Sequence, residues 1–349
     1  MIRQTPQTPQ TQQKVQTIHK WSPYSQATLL ATPEGYQRFA EDRFGVSAHF
    51  GLYSIEGRKE WNQCIDKIPR DVYAKQKELF NPTGFDAQAW VDEFVSWGAT
   101  SFMITTKHHD GFCLFNSRHT DFTSVHAPIK RDLIAEIAVA CQKRNVSLHL
   151  YHSLIDWHHP QMSSVAFEPA SDFNAYIDYM EAQITELLTN YGPIAGMLFD
   201  GWWPAARATT DQADVIKEDR WPYGRIFDHI HRLMPACMVT NNHHLLPLAG
   251  EDYQVGEIDI PGENTTGFNC IEVGDKPLLA WMTMTSNSWC YQPDRTDFLT
   301  AEQHFAKYRA CRAVNAAYYQ NVGPRGDGLL EPTEVGIMRQ FADLRGPVF

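Results

Sequence analysis

The chain lacks the signatures that would tie it to a metal, a nucleotide or a membrane. Its seven cysteines, at 64, 113, 141, 237, 270, 290 and 311, include no Cys-x-x-Cys pair, and no His-x-His falls on a strand-like segment. The commonest zinc and barrel-metallohydrolase patterns are therefore missing. No Gly-x-Gly-x-x-Gly follows a strand-like run, which removes the main support for a dinucleotide-binding fold. No long basic run offsets the formal net charge of −11, so neither nucleic acid nor an anionic membrane is expected as a partner. The opening stretch, Met1 to Lys14, is rich in Gln, Thr and Pro and has no apolar h-region, so it reads as neither signal peptide nor anchor. An odd number of scattered cysteines reads as reduced thiols, which points to a reducing compartment and a cytoplasmic location.

What the chain does have is apolar material. With 43% hydrophobic and 12% aromatic residues, its 349 residues can bury a barrel-sized core. A flexible tail is expected over 1–20 and a single catalytic domain over 21–349. Within that domain, strand-like runs alternate with amphipathic helix-like segments. The strand candidates are Arg43–Phe50, Thr100–Thr106, Val146–Ser153, Ile194–Asp200, Cys237–Asn241, Tyr253–Ile258, Leu278–Met284 and Ala316–Val322. Helical spacing of apolar residues predicts helices over Phe85–Trp97, Asp132–Arg144 and Asp172–Leu188. This alternation predicts an α/β fold of parallel strands covered by helices, a (β/α)8 TIM-type barrel rather than a doubly wound sheet. The first βα connection, from about Gly51 to Asp86, is unusually long and should lie over the active face.

Barrel enzymes keep their chemistry at the C-terminal ends of the strands. The fourth run stops at Phe199-Asp200-Gly201-Trp202, so Asp200 is either a nucleophile or an Asp that opens a turn or caps a helix. The second ends in Lys107-His108-His109-Asp110-Gly111-Phe112. Adjacent histidines on a strand face opposite ways, so both reach one ligand only where the strand has ended. Imidazoles suit sugar hydroxyls because each ring nitrogen can donate or accept, while a metal-dependent hydrolase is the competing reading. The first strand ends at His49 and is followed by Glu60-Trp61; the third ends in Tyr151-His152-Ser153; the seventh is followed by Ser288-Trp289-Cys290-Tyr291. Polar and aromatic groups at successive strand ends exceed what core packing requires and suit a carbohydrate site.

Several blocks together resemble the α-L-fucosidases of glycoside hydrolase family 29. They are Arg43-Phe44-Gly45 through Ser54, Lys107 through Phe112, Lys130-Arg131-Asp132-Leu133, Tyr151-His152-Ser153, Phe199-Asp200-Gly201, Ser288-Trp289, and Asn321-Val322-Gly323-Pro324 through Gly328. They run in family order over roughly residues 40–345. The resemblance implies a retaining exo-glycosidase acting on terminal α-L-fucose in a fucosylated glycoside or oligosaccharide, with no cofactor and no metal. It assigns Asp200 as the nucleophile and sets His49, Glu60, Trp61, His108, His109 and Tyr151 around the sugar, with Trp202 and Trp289 among the binding residues. Fucose transfer to other acceptors is compatible with such a mechanism.

The chain departs from the family in two places. Many relatives carry a glutamate shortly before the Ser-Trp-Gly-Tyr motif, whereas Pro277 to Met284 holds no carboxylate here. Glu257, at the expected end of strand six, is the first choice for the acid/base; Glu272 and Asp275 are the reserves, ahead of Glu251 and Glu263. A fucose-binding barrel that has lost its acid/base catalyst is the alternative, motivated by Met282 and its neighbours standing where a glutamate is common. Many relatives also continue into a C-terminal β-sandwich. A chain stopping at Phe349 implies a compact single-domain form, for which a homo-oligomer sharing a wall of the site is a natural arrangement.

Overall fold

A computed structural model of the protein describes residues 27–162, 173–201 and 221–346. The tail expected over 1–20 and Trp202 lie outside the described residues. The eight expected runs form β1 (Phe44–Ala48), β2 (Ser101–Lys107), β3 (Ser147–Ser153), β4 (Gly196–Asp200), β5 (Met238–Asn241), β6 (Gln254–Glu257), β7 (Leu278–Met282) and β8 (Ala317–Val322). All pair in parallel in one sheet of order β5-β4-β3-β2-β1-β8-β7-β6, a nearly closed (β/α)8 barrel.

Alternation of side chains along each strand sorts the residues into two shells. Met103, Tyr151, Leu198, Met238, Val255, Leu279, Trp281 and Tyr319 pack together inside the barrel. Their strand neighbours, among them Ile104, Leu150, Met197, Phe199, Val239, Ala280 and Val322, pack outward in the cluster that includes helix residues such as Phe94, Ile137, Ile184 and Phe341. Helix Pro33–Glu41, just before β1, sends Phe39 into the inner shell, with its ring centroid 4.7 Å from that of Tyr253, and plugs the N-terminal mouth.

The covering helices begin where the sequence supplies caps. Asp86 accepts from Ala89 N to open helix Ala87–Ser96, and Asp132 accepts from Ala135 N to open Leu133–Arg144. The latter ends at Asn145, whose φ of 52° is the left-handed conformation that stops a helix. Thr300 and Gln303 form a reciprocal capping box on helix Ala301–Ala313. All seven cysteines are free. Among the described residues no helix is long and apolar enough to cross a membrane.

Among the described residues, β5 and β6 share no strand ladder, and Asp252 stitches this seam instead. Its buried carboxylate accepts from Ala31 N (2.9 Å), Tyr36 Oη (2.9 Å) and Val239 N (2.8 Å) and lies 2.9 Å from His231 Nε2, while its own N–H donates to Val239 O at 2.7 Å. Thr240 Oγ1 adds a bond to Tyr253 O at 2.6 Å. Asp252→Ala strands two buried backbone donors at once and should cost about 3 kcal/mol or more. The check is a urea titration, in which the midpoint should fall with little change in slope; a shift below about 1 kcal/mol would show that the seam holds without it.

Candidate active site

The inner-face alternation that buries the barrel's apolar residues continues past the strand ends, where it delivers polar ones. Leu198 is followed on that face by Asp200, Val255 by Glu257, Thr240 by Asn242, Ser47 by His49 and Tyr319 by Asn321. Tyr151 reaches up from β3 to the same mouth. The long first connection folds over it in short helical turns and brings in Glu60 and Trp61.

Asp200 and Glu257 meet through one side chain. Asn242 Nδ2 donates to Asp200 Oδ1 at 3.3 Å and to Glu257 Oε2 at 2.6 Å. The two oxygens are therefore no farther apart than those bonds laid end to end, under about 6 Å. Retaining glycosidases hold their carboxyl groups about 5–5.5 Å apart and inverting ones about 6.5–9.5 Å. Asp200 Oδ2 also accepts from Tyr151 Oη at 2.7 Å and lies 3.5 Å from His109 Nε2.

Both carboxyls are held above the usual range. Burial pushes Asp200 up to about 6, helped by the negative charge of Glu257, against the hydrogen bonds of Tyr151 and the Gly201 N–H. Burial pushes Glu257 up to about 7, helped by the charge of Glu60, against hydrogen bonds from Asn242 and Trp289. Each carboxyl thus holds a proton more readily than a solvated one, the condition for one of the pair to serve as acid near neutral pH.

The histidines are buried, neutral and oriented. Strand β2 ends at Lys107, so His108 and His109 both reach the mouth, with ring centroids 4.1 Å apart. Burial lowers both far below the ordinary imidazole value and lowers His49 to about 4. Ser153 gives its hydroxyl proton to Ile155 O at 2.7 Å, so its Oγ accepts from His109 Nδ1 at 2.6 Å, and Nε2 becomes the acceptor nitrogen. The same logic holds for His49, whose Nδ1 donates to Asn321 Oδ1 at 2.8 Å. His108 Nδ1 is buried without a hydrogen-bond partner among the described residues, its ring stacked on Tyr151 at 5.6 Å. Glu60, also buried and raised by desolvation, accepts from Cys290 Sγ at 3.2 Å.

Aromatic rings wall this cluster. Trp61 meets His109 edge-on at 5.0 Å, and Trp289 lies 5.1 Å from His49 and 4.2 Å from Trp281. Every described residue expected at the site is thus found at one mouth. Of the other carboxyls considered, Glu263, Glu272 and Asp275 are exposed, and Glu251 is buried against His243 at 2.8 Å. The end of β7, bare of carboxylate, carries Thr283, whose hydroxyl donates to Thr285 O. Among the described residues, no group of three or more His, Cys, Asp or Glu is arranged to hold a metal ion. Sequence reasoning missed Asn242, Asn321 and His244, which lies 3.6 Å from Glu257. Extending the period-two inner face one residue beyond β5 would have found Asn242.

A sequence-family model described as alpha-L-fucosidase matches residues 8–344. Human plasma alpha-L-fucosidase is 25% identical over 339 residues, covering 87% of this chain and 66% of that protein. Alpha-L-fucosidase 1 of Arabidopsis thaliana is 26% identical over 294 residues, covering 78% and 53%. The chain therefore spans between about half and two thirds of the length of these relatives. Among solved structures, alpha-L-fucosidase isoenzyme 1 from Paenibacillus thiaminolyticus superposes with a TM-score of 0.74 at 30% identity, covering 89% of this chain and 75% of its own. A family 29 alpha-L-fucosidase from Bacteroides thetaiotaomicron gives 0.77 at 25%, covering 92% and 75%.

The raised carboxyls set a pH dependence of stability. Each titrates higher in the folded protein than in the unfolded chain, so the stability tied to its neutral form is complete at low pH. That contribution is lost as pH rises through about 6 for Asp200 and about 7 for Glu257. From about pH 4, where the unfolded groups titrate, to about pH 7, the Tm of the wild type should fall relative to that of an Asp200→Asn/Glu257→Gln double variant, in which neither group can ionise. Parallel Tm curves would contradict the raised values.

Proposed function

Because the chain belongs to the alpha-L-fucosidase family, we propose that it is a retaining exo-α-L-fucosidase releasing terminal α-L-fucose from glycosides or oligosaccharides. The observation that carries this reading is the single amide nitrogen of Asn242 bonded to both carboxyls, which supports the close pair that retention requires. In the first step Asp200 attacks the anomeric carbon, the glycosidic bond breaks, and Glu257 gives its proton to the departing oxygen. Forming the ester removes the negative charge of Asp200. Glu257 can then ionise more easily and act as base on a water, whose oxygen attacks the same carbon and frees Asp200. A sugar hydroxyl in place of that water gives transfer.

The surrounding groups suit fucose. The acceptor nitrogens of His49 and His109 and the carboxyl of Glu60 match sugar hydroxyls, while Trp61 and Trp289 offer apolar faces to the 6-deoxy methyl. Tyr151 holds Asp200 in one orientation for attack. A carboxyl at Glu257 supports hydrolysis over a binding-only barrel, and seven free thiols support a cytoplasmic setting.

Asp200→Asn should abolish turnover with the fold intact, and azide should restore part of it on an aryl fucoside; wild-type kcat in that variant would refute the nucleophile. Glu257→Ala should lose roughly 10²–10⁴-fold on a natural fucoside and much less on an aryl fucoside with a good leaving group. Equal losses on the two would move the acid/base elsewhere. The wild-type kcat/KM should trace a bell whose two limbs belong to the pair, shifted upward from the usual carboxylate range by burial.

A further inference from the structure

Beside Glu257 a line of side chains leads from the buried centre to solvent. The side chain of Glu257 is 15% exposed and that of His244, 3.6 Å away, is 18% exposed. The His244 ring lies 4.7 Å, centroid to centroid, from Phe268, which is 45% exposed. The polar groups assigned to the fucose ring, His49, Glu60, His108 and His109, are by contrast buried, while Trp61 and Trp289 are partly exposed.

A single exposed apolar residue on a loose loop would be ordinary. Phe268 is held differently. The next residue, Asn269, donates through Nδ2 to Glu257 O at 2.8 Å and to Asp259 Oδ2 at 2.9 Å, and its Oδ1 accepts from Glu257 N at 3.2 Å. Cys270 N donates to His244 O at 2.9 Å. His244 itself sits at φ 63°, in the left-handed region that residues other than glycine visit uncommonly. Its neighbour His243 is anchored by the buried Glu251 at 2.8 Å. These bonds tie the backbone on either side of the Phe268–His244 contact to the backbone of Glu257. Among the described residues Phe268 is the one exposed phenylalanine.

In a retaining mechanism the acid lies on the side of the glycosidic oxygen, so what lies between it and solvent meets the leaving group. We propose that Phe268, flanked by His244, is the platform of an aglycone subsite that takes a group with a flat apolar face, such as an aryl ring or the C–H face of a pyranose. The inference rests on the proposed fucosidase reaction for the side on which the aglycone leaves.

The test compares 4-nitrophenyl α-L-fucoside with α-L-fucosyl fluoride, which carries no aglycone. In Phe268→Ala the ratio of kcat/KM for the aryl fucoside to that for the fluoride should fall about 3- to 10-fold relative to wild type, and Phe268→Tyr should restore it. An unchanged ratio, or a parallel loss on both substrates, overturns the subsite while leaving the reaction standing. Ile271 and Val273, 63% and 50% exposed, share this loop, so a second copy of the chain is the rival occupant. A change in oligomeric state on size-exclusion chromatography with an unchanged ratio would assign the ring to that contact and overturn the subsite. A wild-type protein that turns over neither substrate would refute the proposed reaction, and the subsite with it.

Discussion

Two largely buried carboxyls that share one amide donor are the constraint on which the rest of this site depends. Asp200 and Glu257 cannot both ionise cheaply when burial has stripped water from them and each feels a neighbouring carboxyl. Asn242 holds the two close enough to interact and gives each a partial substitute for water. Beyond that shared donor, Tyr151 and the Gly201 N–H point at Asp200, and Trp289 at Glu257.

The three histidines closest to the sugar site add hydrogen bonds rather than charge. Burial keeps His49, His108 and His109 neutral, so they act as oriented donors and acceptors and not as counter-charges. Lys107, buried at the end of β2, is paired with Asp156 at 3.3 Å and packs beside the Tyr176 and Tyr179 rings. Behind the histidines runs a relay of fixed groups. Trp281 Nε1 donates to Ser47 Oγ at 2.7 Å, Ser47 Oγ donates to Asn321 Oδ1 at 3.1 Å, and Asn321 Nδ2 donates to Trp289 O at 2.5 Å. Trp281, Ser47 and Asn321 lie on inner strand faces, so the barrel's own regularity supplies rigidity to the site, and the last bond ties the loop that carries Trp289 to it.

The seam between β5 and β6 is where this regularity is weakest and the chemistry is densest. At its lower end Asp252 replaces a strand ladder. At its upper end Asn242, just past β5, reaches Glu257 on β6. Asn269 bonds the backbone N–H and carbonyl of Glu257, and Cys270 N donates to the His244 carbonyl, so the loops from both sides of the seam are tied together beside Glu257 although the sheet there is incomplete.

Much of this was legible in the amino-acid sequence. Apolar runs of strand length, separated by helix-spaced segments with Asp or Thr caps, encode the eight strands and their covering helices because period and capping are local properties. The placement of Asp200, His49 and the His108-His109 pair at strand ends is also local, and it was enough to mark one mouth of the barrel. Which carboxylate joins Asp200 was legible only as a ranking. Glu257, at the expected end of strand six, stood ahead of Glu272 and Asp275, but a strand end alone does not say which neighbour it faces. Only the closed order of strands and the parallel register turn Glu257 inward beside Asp200 while leaving Glu272 and Asp275 on the surface. Asn242 was invisible for the same reason: its significance lies in bonds to residues 42 and 15 positions away along the chain, and the proximity that makes those bonds is a property of the folded barrel alone.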